Sequence, residues 1–147
     1  MKNRCKQYDF IFLVLVLMCS PACRTNEIKP VDIAAEDVCT HCKMAISEKQ
    51  FAAEFINQDG DALKFDDIGC MLDYLKEKPD PKNVTYFFVD YEKKNWLTES
   101  TARFVKAEQI STPMSGGIIA FGDSPRAEAA AVKYQSRVLN FSELLKR

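Results

Sequence analysis

The sequence predicts an α+β fold, and three observations carry that prediction. Short β-rich runs alternate with helical periods along the chain, and turn signals separate them. One stretch, 51–78, reads as a complete ββα unit. A strand-to-helix pattern within it, 62–72, is echoed at 138–145, which suggests an internal duplication. The 147 residues are 47% hydrophobic and 28% charged, as in an ordinary globular protein of one domain, or of two very small ones sharing a core.

Residues 1–23 read as an export signal. Lys2, Arg4 and Lys6 form a positive start, and residues 10–18 form an apolar run. A helix of that length rises only about 13.5 Å, far short of a ~30 Å hydrocarbon core, so it is not a membrane span. Small Ala22 before Cys23 resembles a bacterial lipoprotein cleavage site, in which Cys23 is lipidated. Ser20 departs from the usual aliphatic residue there, and Cys19, behind bulky Met18, is the competing position. A plain secretory peptide is the alternative. Either way the mature chain lies outside the cytoplasm; as a lipoprotein it would be periplasmic and membrane-anchored. Residues 24–36 hold Pro30 and mixed charges without an apolar period, which predicts a tether. Residues 37–147 are then the folded domain.

Residues 37–46 predict a loop or turn, because Val38, Cys39 and Thr40 favour extended backbone. Residues 51–56 and 62–65 predict paired strands around Asp59-Gly60, where glycine takes the positive φ of a tight turn. Asp66 and Asp67 suit a helix start, where carboxylates meet unpaired N–H groups. That helix runs to about Lys78, ahead of Pro79, and buries Ile68, Met71, Leu72 and Leu75. Residues 84–91 and 95–97 predict strands joined by a turn at 92–94, whereas 100–105 suits a short helix or a strand equally well. Residues 109–115 are irregular and contain Pro113 and Met114. Residues 117–121 predict a strand, and Asp123, Ser124 and Pro125 open a helix that continues to Tyr134. A strand at 137–141 and a short helix at 142–146 end the chain.

The net charge of −1 with no basic stripe argues against nucleic acid as a partner. The chemistry concentrates in segment 37–46, where Cys39, His41, Cys42 and Met44 stand close together. Beyond residue 23 the other cysteine is Cys70, the other methionines are Met71 and Met114, and His41 is the sole histidine. Thiolate and thioether together suit the soft d¹⁰ cation Cu(I). The alternatives for Cys39 and Cys42 are a disulfide, the default in an oxidising compartment, and a redox pair, which should open a helix in a βαβ setting. Two thiols and His41 fall short of the four ligands of a structural zinc site; Cys70 could be a third thiol, with no obvious fourth ligand.

Cys42 and Met44 share one side of an extended segment, unless Met44 packs with Ile46 against the hairpin. Met114 has no neighbouring apolar period, and Gly116 and Gly117 would let that loop approach a metal. Met71 belongs to the helix stripe and reads as core. Cys70 is either a small buried hydrophobe or an accessory thiol, and His41 either a neutral-ring ligand or a surface residue. Asp66, Asp67 and Asp90 read as cap and turn residues, so no catalytic set emerges and the chain is not expected to be an enzyme.

Taken in order, the Cys-x-Met at Cys42 and Met44, residues 65–74, residues 86–90 followed by Trp96, and residues 113–117 resemble the NosL family. Members are copper-binding lipoproteins that assist maturation of nitrous oxide reductase, and the likeness spans roughly 36–145. The resemblance implies two ββα-type units, one Cu(I) per chain, and delivery to the reductase with its membrane transporter complex as docking partner. It places the ligands on Cys42, Met44 and Met114. Here Lys43 replaces the glycine of many members, and Cys39 and Cys70 are additional; Cys39 would either join the metal or oxidise with Cys42. The expected function is therefore a metallochaperone. The rivals are a thiol-disulfide oxidoreductase using Cys39 and Cys42, and a structural or interaction lipoprotein in which that pair is a disulfide.

Overall fold

The computed structural model describes residues 28–78 and 81–146. The export signal with Cys19 and Cys23, the first residues of the tether, and Pro79 lie outside the described residues. Two antiparallel sheets form the domain. The first contains β1 (Ala53–Ile56), β2 (Ala62–Phe65), β3 (Thr85–Val89) and β4 (Trp96–Thr98) in the order β2-β1-β3-β4. Helix α1 (Ile68–Glu77) connects β2 to β3. The second sheet contains β5 (Arg103–Lys106), β6 (Ile118–Phe121) and β7 (Val138–Leu139) in the order β6-β5-β7. Helix α2 (Ser124–Lys133) connects β6 to β7, and α3 (Phe141–Leu145) closes the chain.

The local devices follow from the sequence. Gly60 takes φ 89° in the β1–β2 turn, and Asn57 Oδ1 accepts from the N–H groups of Asp59 and Asp61. Asp67 and Asp123 cap α1 and α2, and Asn140 with Glu143 forms a capping box on α3. In the ambiguous stretch 100–105, residues from Arg103 on join β5 because they lie between two partners, β6 and β7, which bury Phe104 and Val105. Tertiary pairing decides what local propensity leaves open. Phe88 of the first sheet meets Phe104 of the second edge to face at 4.8 Å, and Phe141 of α3 packs on both. The two sheets therefore share one core.

Both sheets repeat one plan. In each, a central strand pairs with its hairpin partner, a helix follows, and the next strand returns antiparallel to the central strand's other edge. The duplication pairs β2–α1 with β6–α2 rather than with the C-terminal segment 138–145 that carries the sequence echo. In both copies a phenylalanine ends the strand (Phe65, Phe121) and an aspartate two residues on caps the helix. The repeat reaches upstream too: an antiparallel bridge between Val38 and Ala45 precedes the first copy, as the Val89–Trp96 pair precedes the second.

The later part of the predicted tether is docked on the domain. Val31 N–H donates to Glu54 Oε1 at 2.7 Å, Lys64 Nζ donates to the Asp32 carbonyl at 2.8 Å, and Ile33 is buried. Among the described residues no helix is long and apolar enough to cross a membrane.

Candidate metal centre

The loop 39–44 is a compact knuckle laid against the end of β2. Cys39 N–H donates to the Met44 carbonyl at 2.8 Å, and Lys43 N–H returns to the Cys39 carbonyl at 3.0 Å. Thr40 N–H donates to the Lys64 carbonyl at 2.7 Å, which fixes the knuckle to the strand that leads into α1. Closing so tight a loop puts Lys43 at φ 66°, a left-handed conformation that glycine adopts without steric cost. That accounts physically for a glycine being acceptable at this position.

Three thiols and one carboxylate converge here. One ligand atom from each of Cys39, Cys42, Asp66 and Cys70 lies within 4.8 Å of all the others. Cys39 and Cys42 come from the knuckle, Asp66 from the β2–α1 junction and Cys70 from the first turn of α1. Cys39, Cys70 and Asp66 are buried, and Cys42 is half-buried. All three cysteines are unbridged. Cys42 Sγ donates to Asp66 Oδ2 at 3.5 Å, while Asp66 Oδ1 is buried without a hydrogen-bond partner. A buried carboxylate oxygen with no donor costs free energy unless something else compensates it. A cation among these four groups would do so.

The electrostatics agree. Burial raises the Cys39 thiol above its ordinary pKa, against the N–H groups of Asp66, Cys42 and His41, which point at its sulfur. Burial also pushes Cys70 far up, and the Asp66 carboxylate and the neighbouring sulfurs add to the effect. Both shifts favour the protonated thiol, and a bound cation would favour the thiolate by supplying positive charge beside it.

The remaining predicted ligands stand apart from the buried cluster. His41 lies outside it, with Nδ1 3.9 Å from Glu77 Oε2. Met44 is 55% exposed and so does not pack against the hairpin, although Ile46 beside it is buried. Met114 is 42% exposed. Its loop is nonetheless held at the same end of α1. Asp67, the N-cap, accepts from Thr112 Oγ1 and from the N–H of Met114 at 3.3 Å and of Gly116 at 3.4 Å. The two backbones touch there: a Cβ on Gly69 would come 2.8 Å from Gly116 Cα. Glycine at both positions is what permits that approach. Met71, expected in the core, is fully buried.

Asp66 is the residue that sequence reasoning missed. Asp66 and Asp67 looked like one helix start, yet a cap needs a single carboxylate, and Asp67 supplies it. The available signal was the surplus acid four residues before Cys70, a spacing that sets both on one side of a helix start.

The NosL family model matches residues 30–147. The chain belongs to the NosL family. Its fold is similar to the crystal structure of the copper chaperone NosL from Shewanella denitrificans, with a TM-score of 0.69 and 18% identity. That match covers 79% of this chain and 95% of the other. A search of curated protein sequences finds no significant match. Cys42 reaches the buried thiols, whereas Met44, two residues on, is exposed.

Proposed function

We propose that this NosL-family protein is an extracytoplasmic copper chaperone that carries Cu(I) on sulfur and passes it to the copper centres of nitrous oxide reductase. The observation that carries the reading is the meeting of Cys39, Cys42 and Cys70, from separate parts of the chain, around a buried carboxylate. Similarity to a copper chaperone of the same fold supports it. Soft thiolates favour a soft monovalent ion, and three of the four converging groups, Cys39, Cys70 and Asp66, are buried.

Half-buried Cys42 is the route in and out. Exposed Met44, two residues away, and Met114, on the loop tied to α1, offer neutral thioethers that remain competent ligands where thiols are oxidised. Transfer then proceeds by ligand exchange: an acceptor's donor replaces one sulfur at a time, and each released thiolate regains a proton. No step needs a catalytic acid or base, so the protein is not an enzyme. A thiol-disulfide enzyme is disfavoured, because Cys39 is fully buried and its thiol is harder to ionise than usual.

The export pattern at Lys2, Arg4 and Lys6, the apolar run 10–18 and Cys23 support a lipid-anchored periplasmic location. The reductase and its membrane transporter complex are proposed as partners on the family resemblance. One observation favours a second occupant: with Asp66 the donor set is S₃O, a four-ligand set that also suits Zn(II). The experiment that tests the function mixes the Cu(I)-loaded protein with metal-free nitrous oxide reductase under anaerobic conditions. Copper should appear in the reductase, and protein loaded with Zn(II) should leave it inactive. Failure of copper to move in the presence of the transporter complex would refute delivery.

A further inference from the structure

The internal duplication gives the metal centre a counterpart, and the correspondence runs atom by atom through the backbone. Asp90 opens a knuckle in the second unit as Cys39 does in the first. Asp90 N–H donates to the Asn95 carbonyl and Lys94 N–H to the Asp90 carbonyl, both at 2.8 Å, matching the Met44 and Lys43 bonds. Lys94 has φ 58°, as Lys43 has 66°. Tyr91 N–H donates to the Ala120 carbonyl, one residue before Phe121, as Thr40 N–H does to Lys64, one residue before Phe65.

The Asp90 side chain accepts from the N–H groups of Glu92, Lys93 and Gly122. Those positions correspond to His41, Cys42 and Asp66, whose N–H groups face the Cys39 sulfur. Finally, Arg126 is the third residue of α2, as Cys70 is the third residue of α1. Arg126 reaches across to Asp90 with two hydrogen bonds of 2.7 Å.

The second knuckle is thus held shut by a guanidinium bound between a buried carboxylate and the helix. The first has the same architecture, but sulfur replaces both partners, and among the described residues no cationic side chain is paired with the cluster. Its additional acid, Asp66, takes the place of Gly122 and keeps one buried oxygen unpartnered.

We propose that the metal ion occupies in the first unit the place that the Arg126 guanidinium occupies in the second. Cys39 and Cys70 are then its innermost ligands, and the ion is the clasp that closes the 39–44 knuckle onto α1. This rests on the copper reading above and deepens it. It moves the anchor of the site from the Cys42, Met44 and Met114 set to residues buried beneath it. It also gives loading a structural consequence, since Met44, Lys43 and His41 ride on the loop that the ion closes.

Amide hydrogen exchange on the full reduced chain tests this, with Cu(I) presented on a competing chelator. In wild type, copper should slow exchange across 37–46 by at least about tenfold and leave 89–96, already clasped by Arg126, unchanged. Cys70→Ala should weaken Cu(I) binding by at least about tenfold and abolish the copper-induced protection, while unaltered exchange at 89–96 reports an intact fold. Wild type that binds Cu(I) without protection of 37–46, or Cys70→Ala with undiminished affinity, overturns the clasp and leaves the copper function standing. Wild type that binds no Cu(I) overturns both.

Discussion

The sulfur of Cys42 lies 3.5 Å from Asp66 Oδ2, although 24 residues separate them in the chain. This contact makes the site more than a cluster of thiols, because it brings a hard oxygen donor among soft ones. Asp66→Asn keeps the shape and removes the charge. Affinity for Zn(II) should fall by more than about tenfold, whereas affinity for Cu(I), which prefers sulfur, should change less. Competition titrations with each metal alone check the ratio.

The exposed thioethers should matter to the metal and not to the fold. Met44→Ala and Met114→Ala remove side chains with about half their surface already in water. Each should change unfolding free energy by less than about 0.5 kcal/mol. The double variant should lose Cu(I) to a competing chelator faster than wild type does, measured by stopped-flow absorbance. A thiol-disulfide enzyme would show no such change.

Arg126 holds the second unit together through a buried partner. Arg126→Ala leaves the fully buried Asp90 without its cation and should cost roughly 3–5 kcal/mol. Burial alone would raise the Asp90 pKa, but Arg126 and the N–H groups of Lys93, Gly122 and Glu92 outweigh it and hold the carboxyl well below its ordinary 3.8. The stability it contributes is therefore full above about pH 4 and lost as the pH falls through the lowered value. Urea denaturation between pH 3 and 7 should show wild type and variant converging towards the acid end.

Glu54 works in the opposite direction. It is fully buried on β1, Oε2 has no partner, and burial pushes its pKa from 4.5 to about 7, against the Val31 N–H and the charge of Lys64. The folded protein thus keeps a proton that the unfolded chain releases, and stability should decline as the pH rises from about 4.5 to about 7. Glu54→Gln removes that decline. Its advantage over wild type should be small at pH 5 and a few kcal/mol, on the order of 3, at pH 8, by urea denaturation at both values.

Much of this was legible in advance, for identifiable reasons. The β1–β2 hairpin and the starts of α1 and α2 rest on Gly60, Asp67 and Asp123, residues whose local chemistry admits few conformations. The fold class followed from such elements in order, and the NosL resemblance from Cys42 with Met44, residues 65–74, residues 86–90 with Trp96, and residues 113–117. The site was legible only in part. Cys39 and Cys42 announced themselves by spacing, but Cys70 sat beside an apolar helix stripe, where a buried thiol and a small hydrophobe look alike. Asp66 was hidden behind Asp67. The correspondence between Cys39 and Asp90, or Cys70 and Arg126, joins unlike side chains. It exists in backbone hydrogen bonds and in the positive φ of Lys43 and Lys94, which no residue type reveals when both are lysine.

The central claim is that cysteine sulfur from the knuckle and from α1 holds one monovalent copper ion. Its most direct measurement is anaerobic Cu(I) titration of the reduced chain beside Cys39→Ser and Cys42→Ser, with stoichiometry and affinity read against a competing chelator. The account predicts one Cu(I) per chain in wild type and, in either variant, a loss larger than the roughly 10–100-fold typical of residues that merely support a ligand. Equal affinity in all three proteins would contradict it.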